Sequence, residues 1–157
     1  MLISVIIPCY NEEDYILEIL KRVNNQKTNL NLEIIISDDC SKDKTMEIIN
    51  QNKDLYDKLV VNNRNQGKGS AIKNALNICN GEVVLIQDAD LEYDPKDYNA
   101  LIAPFKNSNA DVVYGSRFTG TFARRVIYFK NQIANKFLTF LVNLLTDKNF
   151  TDIECGY

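Results

Sequence analysis

The chain contains no histidine, and its four cysteines, Cys9, Cys40, Cys79 and Cys155, show no C-x-x-C spacing. That argues against a structural zinc ion, and the cysteines read as reduced thiols of a cytoplasmic protein. Glycine is missing from Pro8–Glu13, the segment after the first apolar run, where a dinucleotide-binding dehydrogenase would carry G-x-G-x-x-G and a sugar nucleotidyltransferase a glycine-rich loop. Long apolar runs are also missing. Ile3 to Pro8 is too short for a signal peptide and lacks a basic leader, and Phe137 to Thr146 is too short to span a bilayer. Low-complexity segments and internal repeats are absent, so the 157 residues are expected to form one globular domain with a proper core.

Acid is missing from one long stretch. Between Val112 and Thr146 stand five basic residues, Arg117, Arg124, Arg125, Lys130 and Lys136, and no acidic one. The whole chain carries 18 basic and 21 acidic residues, so what remains outside that stretch is 13 against 21, a net −8. An overall pI near 5.0 argues against general nucleic-acid binding, but the segregation predicts one face that attracts anions.

What is present alternates between two patterns. Leu2–Ile7 is a β-branched run that reads as a buried strand. Leu32–Ile36, Leu59–Asn62, the apolar start of the stretch Val83–Pro95, and Asp111–Gly115 read as further strands. Between them lie helical periodicities. Asn11 reads as an N-cap with Glu12, Glu13 and Asp14 in the first turn, followed by Ile16, Ile19, Leu20 and Val23. Asp43 or Ser41 caps a second helix carrying Met46, Ile48 and Ile49. A third starts near Ser70, and Pro95 opens a fourth. Strands alternating with helices predict an α/β fold with a parallel sheet and right-handed crossovers.

Three of the strands end in polar clusters, NEE, SDD and DAD. Any single acid there is explained by helix capping or solubility. Their repetition at one sheet edge points to a site, because ligands of open parallel sheets bind beyond the strand C-termini. The clearest cluster is VVLIQDADLEYDP, where an apolar strand runs directly into Asp88, Asp90, Glu92 and Asp94. Hard oxygen ligands two residues apart suit Mg2+ or Mn2+, which are usually held by one or two carboxylates plus the phosphate oxygens of a substrate. Gly67 and Gly69 allow a tight backbone around Lys68, which otherwise reads as a surface charge.

Taken in order, IIPCYNEE, IIISDDCSKDKT, NQGKGSAIKNAL, VVLIQDADLEYDP and DVVYGSRF resemble the family 2 glycosyltransferases of GT-A fold, most closely the polyprenyl-phosphate glycosyltransferases similar to dolichyl-phosphate mannose synthase. The resemblance implies a GT-A, Rossmann-like, mostly parallel sheet flanked by helices over residues 1–157, a single catalytic domain whose family sequence runs on past Tyr157. It implies metal-dependent, inverting transfer of a sugar from a nucleoside diphosphate sugar to a polyprenyl phosphate, at the cytoplasmic inner face of a membrane and in peripheral contact with it. Carried over by position, Pro8, Tyr10, Asn11 and Glu12 would line the nucleotide pocket, with Asp39 beside the base or ribose and Lys68 near the donor. Asp88 and Asp90 would hold the cation with Glu92 as a third ligand, although the family often has Gln there. Arg117 and Arg125 would meet the acceptor phosphate, to which a planar guanidinium is suited. Asn135 and the closing TDIECGY would lie where the family shapes its acceptor side. Cys40 departs from the pattern, standing where the family usually has glycine.

Other classes fit less well. A receiver domain needs a lysine after its last strand, where this chain has Ser116 and Arg117. A truncated or inactive nucleotide-sugar-binding module, and a family 2 enzyme with a soluble or saccharide acceptor, remain as alternatives. Apolar residues from Val126 to Leu145 recur near helical spacing, which reads either as packing within the domain or as a helix lying in a membrane interface.

Overall fold

The structure, a computed structural model, describes residues 1–108, 110–116 and 128–156. The chain divides into two compact units, Met1–Lys96 and Asp97–Tyr157.

The first unit is built on a four-stranded parallel sheet in the order β3-β2-β1-β4, with β1 at Ile3–Cys9, β2 at Leu32–Asp38, β3 at Lys58–Val61 and β4 at Val83–Ile86. Every residue of β1 and β2 is buried, as their near-continuous apolar sequences require of strands covered on both faces. Helix α3, Lys68–Leu76, packs on β1 and β2, bringing Ala75 and Ile72 onto Ile6 and Ile35. Helix α1, Ile16–Asn25, buries Ile16, Ile19, Leu20 and Val23 and packs against α2, Thr45–Gln51. Each fully buried Ile of this kind contributes about 1.5–3 kcal/mol relative to exposure.

Because all four strands are parallel, their C-terminal ends lie at one edge, and β4 lies on the far side of β1 from β2. That is a topological switch point, where the chain opens a crevice between β1 and β4.

The opposite edge is closed by a polar network. Glu33 accepts hydrogen bonds from Ser4 Oγ, Asn80 N and Asn80 Nδ2 and pairs with Lys58 Nζ at 2.6 Å, while Ser4 Oγ accepts from Gly81 N. Gly81 is required there, since a Cβ would lie 2.5 Å from Ser4 N. Burial alone would raise the Glu33 pKa, but the bonds from Lys58, Ser4 and Asn80 outweigh it and lower it from 4.5 to about 2. A depressed carboxylate contributes stability that is complete above its unfolded pKa and lost as pH falls through its folded one. Glu33→Gln is therefore expected to cost about 1–3 kcal/mol at neutral pH. Its unfolding temperature should also converge with that of wild type between pH 4.5 and about 2, as read by calorimetry across that window.

Two sequence expectations are corrected. Asn11 does not cap α1, which begins at Ile16 with Tyr15 at its N-cap. Asn11 instead adopts the left-handed conformation that Asn tolerates, with φ +56°, and its Oδ1 accepts from Lys42 N. The side chain meant for a helix amide is thus spent on the neighbouring loop. The expected fifth strand at 111–115 is also not formed: among the described residues the sheet has four strands. Val112 and Tyr114 are exposed, and β-propensity alone does not make a strand without a ladder partner.

The second unit holds α4, Tyr98–Asn107, and α5, Phe129–Thr146. Helix α5 is inverted in polarity. Among its described side chains the buried ones are Asn135 and Thr139, and with Asn143 they form a polar stripe at four-residue spacing. Asn135 Nδ2 donates to Asp152 Oδ1 at 2.7 Å and Glu154 Oε2 at 3.1 Å, Thr139 Oγ1 donates to Asn135 Oδ1, and Asn143 exchanges two hydrogen bonds with the Phe150 backbone. The apolar residues Ile133, Phe137, Phe140, Leu144 and Leu145 are left exposed, Leu145 at 83%.

Candidate active site

At the switch point lies a cleft of about 290 Å³ lined by Pro8 near the end of β1, Tyr10 and Glu12 after β1, Asp39 after β2, Gly67, Lys68 and Ala71 from the start of α3, and Asp88 and Asp90 after β4. Seven of the residues expected from sequence therefore meet in one place. Asn11 and Glu92 lie outside the lining, Glu92 being exposed. Arg117 and Arg125 lie outside the described residues.

The loop after β1 is held by reciprocal bonds to the loop before α2. Asn11 N donates to Ser41 Oγ, Glu12 N to Thr45 Oγ1 at 2.8 Å and Glu13 N to Asp43 Oδ2, while Glu13 Oε2 accepts from Lys44 N. Glu13 and Asp43 are thereby accounted for structurally, and Glu12 is left facing the cleft. Burial, followed by the nearby carboxylates of Asp90, Asp43 and Asp88, raises the Glu12 pKa. The shift reports a concentration of negative charge at the end of the sheet.

Against these acids stands Lys68, whose Nζ is 2.5 Å from Asp88 Oδ1. It belongs to the first turn of α3, preceded by Gly67 at φ +86°, a conformation that disfavours any side chain. A helix N-terminus that carries a lysine is suited to phosphate. Cys9 also lines the cleft, but burial and then the Asp38 carboxylate push its thiol far up, leaving it an inert packing group.

The family pattern puts Asp39 beside a base or ribose. It lines the cleft but is 2% exposed, and its carboxylate accepts from Asn62 Nδ2 at 2.7 Å, Gln66 N at 3.0 Å and Gly67 N at 2.6 Å. Burial would raise its pKa, and these bonds outweigh it and lower it. Its geometry is that of an anchor for the loop leading into α3. Sequence reasoning also misses Gln87, a buried residue whose amide bridges the backbone of the Asp88–Tyr93 loop; its only signal is a polar side chain at the end of an apolar strand. Cys40, where the family pattern has glycine, does take a left-handed conformation, at φ +66°.

Among the described residues no three carboxylates or thiols converge on one cation position. Two hard carboxylates on one loop still match the sparse protein ligation of a cation shared with substrate phosphates.

The family model described as glycosyl transferase family 2 matches residues 4–156. The chain is 35% identical over 119 residues to a dolichol-phosphate mannosyltransferase of Pyrococcus furiosus, covering 75% of this chain and 34% of that protein. It is 32% identical over 158 residues to an undecaprenyl-phosphate 4-deoxy-4-formamido-L-arabinose transferase of Edwardsiella ictaluri, covering 98% of this chain and 47% of the relative. In structure it is similar to a mannosyltransferase from Pyrobaculum calidifontis solved with GDP-Man and Mn2+, with a TM-score of 0.59, 31% identity, and coverage of 68% of this chain and 32% of that one. The chain thus spans 32% to 47% of the length of these proteins.

Proposed function

Because the chain belongs to glycosyl transferase family 2 and has its GT-A fold, we propose that it transfers a sugar from a nucleoside diphosphate donor to a polyprenyl phosphate, with inversion and with a divalent cation on the donor diphosphate. The observation that carries this reading is the cleft itself, which sets Asp88, Asp90 and Glu12 across from Lys68 and the first turn of α3. A diphosphate brought among three carboxylates with one nearby ammonium would be repelled unless a cation came with it. Asp88 and Asp90 would hold Mg2+ or Mn2+, which stabilises the negative charge of a leaving diphosphate as a Lewis acid. Lys68 would turn from Asp88 to the phosphates, and Pro8, Tyr10 and Glu12 would wall the nucleotide.

In the transfer an oxygen of the acceptor phosphate attacks the anomeric carbon as the bond from that carbon to the diphosphate breaks, and the nucleoside diphosphate leaves. A phosphate monoester has its second pKa near ~6 and is largely dianionic at neutral pH, so no side chain has to remove a proton. The lack of histidine is consistent with this chemistry. Arg117 and Arg125 would grip the acceptor phosphate. The relatives named for dolichol and undecaprenyl phosphates support a lipid acceptor.

The exposed stripe of Ile133, Phe137, Phe140 and Leu144 on α5, with Lys130 and Lys136 on the same helix, supports peripheral contact with the cytoplasmic inner face of a membrane. No helix among the described residues is long and apolar enough to cross one.

The test is transfer of radiolabel from UDP-, GDP- and dTDP-sugars with Mn2+ to polyprenyl phosphate in anionic vesicles, read as label extracted into organic solvent. Label moving only to a soluble saccharide would replace the lipid acceptor, and donor binding with no turnover on either acceptor would make the chain a binding module. Pelleting with the same vesicles should be stronger at low salt than at high salt.

A further inference from the structure

We propose that Gln87 is a positioning residue that sets the geometry of Asp88 and Asp90 for the cation, by clasping the two ends of the loop that carries them. The inference rests on the reading that these carboxylates hold the donor cation. Gln87 follows the last residue of β4, is fully buried, and has its own N–H bonded to Ile6 O of the central strand at 2.9 Å. Its side-chain Nε2 donates to Asp88 O at 3.0 Å and to Tyr93 O at 3.2 Å.

A side-chain amide has two N–H donors, and here each carbonyl end of the loop takes one. The six residues from Asp88 to Tyr93 are thereby closed into a ring by a group rooted on β1 and β4. Inside the ring the backbone is constrained further. Leu91 is left-handed at φ +62°, which is unfavourable for a branched residue, and Asp90 Oδ1 accepts from Glu92 N at 3.0 Å. Such a turn persists only where its surroundings over-determine it, and the Gln87 clasp supplies that constraint. The chemistry of the clasp also suits a cation site. A lysine or arginine could donate to the same carbonyls, but its charge would compete with the cation for the neighbouring carboxylates. A neutral amide ties the loop and leaves the two acids their charge.

Groups behind the ligands commonly govern metal affinity without touching the metal. Gln87→Met fills similar space and removes both donors. Gln87→Asn keeps the amide but is one methylene short of bridging both carbonyls, and it serves should the Met variant not fold. The experiment titrates Mn2+ into the full chain with saturating UDP or GDP, whichever wild type binds, reading free Mn2+ by electron paramagnetic resonance, with circular dichroism to confirm folding. The half-saturating Mn2+ concentration is expected to rise about tenfold or more in either variant, with metal-free nucleotide binding unchanged. A folded variant whose Mn2+ curve overlays wild type while only its unfolding temperature falls would overturn the clasp and leave the cation reading standing. Wild type that takes up no Mn2+ with either nucleotide would instead defeat the cation reading, and the clasp with it.

Discussion

Asp90→Asn is expected to abolish the Mn2+-dependent tightening of nucleoside diphosphate binding, weakening the metal-bound complex by about a hundredfold, since removing a ligand should cost at least as much as losing a group behind one. The Asn substitution is the informative one. It retains an oxygen able to accept from Glu92 N–H, so the turn is kept and only the charge is lost. Asp88→Asn should behave differently. Asp88 is the partner of Lys68 at 2.5 Å, so neutralising it removes a cation ligand and also frees an ammonium for the phosphates. Metal-free binding should then be kept or improved while the Mn2+ effect is lost. Glu92→Ala, at an exposed position outside the cleft, should change either quantity by no more than about twofold, the scale of an exposed charge. Calorimetric titration with and without Mn2+ separates the three. Unchanged Mn2+ dependence in Asp90→Asn would remove this loop from cation binding, and a loss at Glu92 as large as at Asp90 would require a different ligand set.

The parts of this architecture legible from sequence are those in which local chemistry and tertiary need agree. The β1 and β2 runs are apolar because both faces are covered, and the acids after β1, β2 and β4 converge because parallel strands finish at one edge. The misreadings arise where a side chain serves a partner distant in sequence. Asn11 has the chemistry of an N-cap, but its acceptor is claimed by Lys42 N, 31 residues on. The 111–115 run has strand composition without a ladder partner among the described residues. On α5 the apolar periodicity is real, yet the stripe that is buried is the polar one, because Asn135, Thr139 and Asn143 bind residues 150–154. The helical period shows that two faces exist; which face is covered depends on the hydrogen-bonding demands of a later segment.

Asp39 is a residue whose position is foreseeable from sequence and whose work two titrations separate. A carboxylate at the end of β2 and at the wall of the cleft suggests contact with a base or ribose, and a variant would then lose affinity for nucleotides alone. In the structure both oxygens also accept from Asn62 Nδ2, Gln66 N and Gly67 N. Those bonds fix the backbone immediately before Lys68 and the first turn of α3, the part of the cleft suited to phosphate. Asp39→Ala would leave the buried Asn62 amide without its acceptor, at a cost of about 1–3 kcal/mol, and release the backbone of Gln66 and Gly67, so a lower unfolding temperature is expected. The binding consequence discriminates. If the carboxylate acts through the loop, affinity for pyrophosphate with Mn2+ should fall by about tenfold, alongside and in proportion to the loss for UDP or GDP, because Lys68 and the α3 amides are displaced for every phosphate ligand. If Asp39 reached the base or ribose directly, pyrophosphate, which has neither, would bind the variant as it binds wild type. Parallel titrations of the two ligands decide between them, and a loss confined to the nucleotide would return Asp39 to the nucleoside end of the cleft.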